Sequence, residues 1–262
     1  MTRSSLIPLV ALVALASVRV AAADPVASRV LTVPTAWLPP QGAAIGTASL
    51  DRRGDGSMLV GYGLGGIAVT ELGFDTDLRG CDPCVTDGAS QALWLGRAGF
   101  KLAARQGAWF AGMPALAFGV RTTFAAHGHT FGGARATEAY LVASGELGEE
   151  SGHRVRFHGG LEVVDAGYGD VTMGKQVRPL AGFEWVPRQY PKTTLMLDAM
   201  WLPRFERDRP TLEWIAGFGV RYQALSWGSI ELDVRERQAL EGSGPEAIDG
   251  INVLVKVIGV AR

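Results

Sequence analysis

Alternation with a period of two runs through most of this chain. Between residues 211 and 236 (TLEWIAGFGVRYQALSWGSIELDVRE), Leu212, Trp214, Ala216, Phe218, Val220 and Tyr222 fall on one side of an extended chain, and Glu213, Gly217, Gly219 and Arg221 on the other. Four residues later the pattern resumes, with Gly228, Ile230, Leu232 and Val234 against Ser229, Glu231, Asp233 and Arg235. A wholly apolar face opposite a face carrying charges of both signs is the mark of strands with unlike surroundings. The stretch from 154 to 163 repeats it, Val155, Phe157, Gly159, Leu161 and Val163 opposing Arg154, Arg156, His158, Gly160 and Glu162.

Twelve such segments are expected, near 43–51, 58–64, 67–75, 90–104, 111–124, 134–146, 153–163, 178–187, 192–202, 211–222, 227–235 and 250–260. The connections between them mostly alternate: after a first one at 52–57, they are long at 76–89, 125–133, 164–177, 203–210 and 236–249 and short at 65–66, 105–110, 147–152, 188–191 and 223–226. Short turns on one side, longer loops on the other and an even strand number describe a transmembrane β-barrel of the bacterial outer-membrane kind. The expected fold is therefore all-β: a single antiparallel transmembrane β-barrel of about twelve strands, ten to fourteen being compatible with the segment boundaries.

In such a barrel the apolar face meets lipid and the polar face meets the lumen, and closure leaves no strand edge for lipid to desolvate. Aromatic residues near segment ends, among them Trp94, Trp109, Phe110, Phe124, Trp185, Tyr190, Trp201, Trp214, Tyr222 and Trp227, are then candidates for interfacial girdles. Segment parity turns Glu71, Arg97, Lys101, Arg121, Arg156, His158, Glu184, Asp198, Glu213, Arg221, Glu231, Asp233, Arg235 and Lys256 inward. Three readings stand side by side: a narrow channel or passive transport protein with a mixed-charge lumen, a lumen closed by its own ion pairs, and inward residues that merely solvate a structural barrel. At about twelve strands the diameter permits a channel without requiring one.

Composition sharpens this in two ways. Glycine is abundant, at 35 residues, without a collagen-like period; the glycines sit inside the alternating segments, where they allow close packing or bending. Residues 1–23 have a basic residue at Arg3, the apolar run LIPLVALVALA and a small-residue site at Ala21-Ala22-Ala23, the layout of a cleaved export signal. The expected organisation is a signal peptide at 1–23, a short periplasmic segment at 24–42 and the barrel at 43–262, in the outer membrane of a Gram-negative cell envelope. Without Arg3 and Arg19, 23 basic residues remain against 26 acidic, a formal charge of −3 that argues against nucleic-acid binding. Outer-membrane lipid, small solutes or ions, and envelope or polysaccharide components are the expected partners.

Chemistry is sparse. Cys81 and Cys84, in GCDPCVTDG, are expected to form a disulfide across the 76–89 loop, because a redox CxxC requires a βαβ context that is lacking. His127 and His129 in AAHGHTFGG are expected to be solvated loop residues, and neither a metal nor a cofactor is expected. No GxSxG-type nucleophile motif occurs. His158 and Glu162 share the inward face as a conceivable base and orienter, but no serine can be assigned to them from sequence; an enzyme acting on lipid is the weaker alternative to a non-enzymatic barrel.

The opening VLTVPTAWLPPQGAAIGTASLDRRGDGSMLVGYGL, with Pro34-Thr35-Ala36 and then Gly42, resembles the start of the YjbH-like outer-membrane family associated with exopolysaccharide export. The resemblance covers some 50 residues and implies an outer-membrane location and a barrel; a link to polysaccharide export would follow only by extension.

Overall fold

The computed structural model describes residues 29–51, 56–75, 95–125, 134–147, 152–205, 210–239 and 251–261. The strands are β1 (Ala44–Asp51), β2 (Gly56–Leu64), β3 (Ala68–Asp75), β4 (Leu95–Ala104), β5 (Ala115–Ala125), β6 (Arg135–Leu147), β7 (Arg154–Tyr168), β8 (Val171–Thr172), β9 (Gln176–Val186), β10 (Thr193–Phe205), β11 (Pro210–Leu225), β12 (Gly228–Ala239) and β13 (Asn252–Ala261). Successive long strands pair antiparallel, and β13 returns to β1 with Ala44 opposite Ala261 and Asp51 opposite Leu254, which closes the sheet. Two-residue β8 pairs only with the end of β7, while β7 itself continues to β9. The ring is thus a closed, twelve-stranded antiparallel barrel.

Strand parity sorts the side chains as the alternation requires. Leu197, Phe218 and Leu232 are each about half exposed on the outside (50%, 48% and 51%), whereas Met196, Glu231 and Asp233 are fully enclosed on the inside. The fifth strand starts later than its alternation suggests. Gly107 and Gly112, with φ of 73° and 82°, fold residues 105–114 into a compact turn in which the Gly107 N–H donates to the Met113 carbonyl at 2.9 Å, so regular pairing begins at Ala115.

Two departures from simple barrel geometry bear on function. Residues 24–42 are expected from sequence to precede the barrel as a periplasmic segment; from Arg29 onward the chain instead runs inside the barrel, with Val30 to Ala36 buried. The cause is polar complementarity with the lumen wall, set out below. Secondly, the β9–β10 ladder is short. Residues Ala181–Trp185 pair with Leu195–Ala199, and there the register ends, although both strands continue well beyond.

Candidate functional site: a lumen occupied by the N-terminal segment

The charged residues assigned inward by parity lie on the covered face of their strands. Glu71, Lys101, Arg121, His158, Glu184, Asp198, Glu213, Arg221, Glu231, Asp233 and Arg235 are buried, and Arg97, Arg156 and Lys256 are partly covered on the same face. Most are committed to partners. Arg121 of β5 is paired with Glu138 of β6 through two nitrogens, its Nε at 2.7 Å. Across the barrel, Arg221 donates from Nε to Glu231 Oε2 at 2.8 Å and from Nη1 to Glu184 at 3.3 Å. Glu231 also pairs with Lys256, which lies 3.5 Å from Asp233, and Arg156 links Glu146 to Glu184. A charge taken out of water is tolerable only when so paired, since an uncompensated one costs several kcal/mol.

The lumen wall also binds the backbone of residues 29–37. Asp198 Oδ2 accepts the N–H groups of Leu31, Thr32 and Val33 at 3.2, 2.5 and 2.8 Å. The carbonyls of the same stretch receive cations: Val30 from Arg221 Nη2 at 2.8 Å, Leu31 from Lys256 at 3.0 Å and Arg235 at 3.3 Å, Thr35 and Trp37 from Lys101 at 3.2 and 2.8 Å. Arg29 reaches Glu71 at 2.9 Å, and the Ala36 N–H donates to Ser144 Oγ at 2.8 Å. A tight turn, with the Val30 N–H on the Val33 carbonyl and Arg29 bridged to Pro34, presents these groups to different walls at once. Buried backbone groups must find partners somewhere; here charged side chains supply them in place of a strand.

Glycines make room for this plug. A Cβ at Gly219 or Gly217 would lie 2.5 or 2.8 Å from the Leu31 side chain, and one at Gly182 would lie 2.8 Å from Val30. Thus the glycines on the charged face of β11 leave the volume that Leu31 occupies. Further along, Val33 and Ala36 pack with Ala115, Ala117, Tyr140, Val142, Leu180 and Met200 in an apolar patch beside the charged groups of the lumen.

Several of these participants are not legible in the sequence. Glu138 lies on a strand whose inward side also carries Ala136 and Val142, so polarity does not mark its face. The plug has no alternation at all, and only its abundance of Thr and Pro ahead of the first strand sets it apart. Ser144 does meet His158, Oγ to Nδ1 at 2.8 Å, but that hydroxyl also accepts from Ala36, and Glu162 accepts the Trp201 N–H at 3.1 Å rather than orienting the imidazole. Cys81, Cys84, His127 and His129 lie outside the described residues, as does the signal segment.

These features define a class, the closed antiparallel barrel of the bacterial outer-membrane type. No protein-family model matches the chain, and no curated protein is similar to it in sequence. Solved structures are similar in fold. The KdgM porin superposes with a TM-score of 0.50 at 7% identity, covering 83% of this chain and 98% of its own. A COG4313 outer membrane channel from Pseudomonas putida F1 does so with a TM-score of 0.50 at 12% identity, covering 86% and 97%. The resemblance to the YjbH-like family finds no support here; its Pro34-Thr35-Ala36 signature lies buried in the plug.

Proposed function

We propose that this protein is an outer-membrane, channel-like barrel whose lumen is held closed at the short-turn half by its own residues 29–37. The observation that carries this reading is the binding of that segment by Asp198, Arg221, Arg235, Lys256 and Lys101, all through its backbone. The band of exposed aliphatic residues and the channel folds it resembles support an outer-membrane location and a non-enzymatic role. Passive movement of small solutes or ions is the activity that such a lumen fits when the segment is displaced.

Single-channel recording in a planar bilayer tests this. The mature chain is expected to be silent or to conduct in rare small steps, and a variant lacking residues 29–37 to give discrete, sustained ones. A plug-less variant that is folded by its heat-shifted gel mobility yet still silent overturns the channel reading. The density of ion pairs in the wall would then favour a structural or surface-interaction barrel, with envelope or polysaccharide partners at its loops.

A further inference from the structure

Among the described residues, the hydrogen bonding of the barrel wall lapses along the β9–β10 seam. β9 is paired with β7 along its whole length, Gln176 to Val186, and β10 with β11 from Thr193 to Phe205. Between β9 and β10, however, the ladder stops at Ala181–Ala199, and the long-loop halves of both strands run on without it. Extending the register would set Pro179 opposite Trp201 and Val177 opposite Pro203.

Proline explains the lapse. The Trp201 N–H points to this seam, where Glu162 Oε1 accepts it from across β9 at 3.1 Å. Two residues on, Pro203 has the same parity, so its ring nitrogen faces the seam where a donor is needed, and Pro179 removes the donor opposite Trp201. In lipid an unpaired strand edge costs several kcal/mol per group. Here side chains take over: Glu162 caps Trp201, and the Arg178 guanidinium lies over the Trp201 ring at 5.4 Å, tying the two strands by contacts that rotamer changes can release. Directly behind the seam lies an apolar patch of the lumen in which Leu180 and Met200 are buried together with Val33 and Ala36 of the plug, and Leu202 and Trp37 pack against that cluster.

We infer that the β9–β10 seam beyond Ala181 and Ala199 is a lateral portal, through which a slender apolar molecule such as an acyl chain passes between the lumen and the bilayer. Among the described residues this is the largest apolar cluster inside the barrel, and lipid lies just outside it. The portal goes beyond the channel reading and rests on it only in taking the outer wall to face lipid.

The test uses the folded mature chain in phospholipid vesicles containing a diazirine-bearing dodecanoic acid, with labelled residues mapped by mass spectrometry after illumination. Label is expected on inward Leu180 and Met200 as well as on outward Val177 and Leu197. Bridging the seam in a Val177→Cys/Pro203→Cys variant with a short bismaleimide, in a Cys81→Ser/Cys84→Ser background, should cut inward labelling at least several-fold. The same bridge in Phe183→Cys/Leu197→Cys, where the strands already pair, should leave labelling of Leu180 and Met200 as in the wild type. Equal inward labelling with the two bridges, or label confined to outward residues in the wild type, overturns the portal. Neither result depends on ion conduction, so the portal and the channel reading fail independently.

Discussion

One carboxylate oxygen, Asp198 Oδ2, holds three consecutive backbone N–H groups, those of Leu31, Thr32 and Val33, in the middle of the barrel. Hydrogen bonds to a charged group are worth about 1.5–3 kcal/mol each. Asp198→Ala should therefore raise the displaced population of the plug by at least about tenfold, a factor corresponding to roughly 1.4 kcal/mol. Faster proteolysis within residues 29–37, in a barrel that keeps its heat-shifted mobility, is the expected readout. Asp198→Asn, retaining one acceptor oxygen, should fall between.

Gly219 offers a route to the same end without altering a charge. A side chain there must share space with Leu31, whose nearest atom lies 2.5 Å from the Cβ position. Gly219→Val is expected to expel the plug, giving conductance close to that of the variant lacking residues 29–37. If the plug merely accompanies an otherwise closed lumen, Gly219→Val will be as silent as the wild type.

Arg221 joins the wall to the plug, serving Glu231, Glu184 and the Val30 carbonyl. Arg221→Met removes a cation shared by two buried carboxylates, leaving Glu231 to Lys256 and Glu184 to Arg156; breaking a buried pair outright costs about 3–5 kcal/mol, and a part of that is expected here. The temperature at which the barrel unfolds in gel-shift assays should drop clearly. Arg221→Met/Glu231→Gln, which removes one of the under-compensated carboxylates, should recover part of the loss.

Adjacent glycines in β7 should behave oppositely. At Gly160 a Cβ would come 2.0 Å from the Leu141 carbonyl oxygen and 2.9 Å from Val142 Cα, both backbone atoms that cannot rotate away, whereas at Gly159 it meets nothing within 4 Å. Refolding yield from denaturant should collapse for Gly160→Ala and be unchanged for Gly159→Ala.

The sequence by itself determined the period of two, and with it the twelve long strands and the two unlike faces of each. That information is local, because parity is a property of neighbouring residues in an extended chain. It could not reach what depends on the far wall. Asp198 meets Leu31–Val33, more than 160 positions away, and Arg221 meets Val30 across 191. Residues 29–37 carry no alternation to mark where they go; their place in the lumen was decided by backbone groups meeting the charged side chains of the far wall. The lapsed seam is a tertiary fact as well. Pro179 and Pro203 are visible in the sequence, but only the closed register of β9 against β10 turns their missing donors toward the same line.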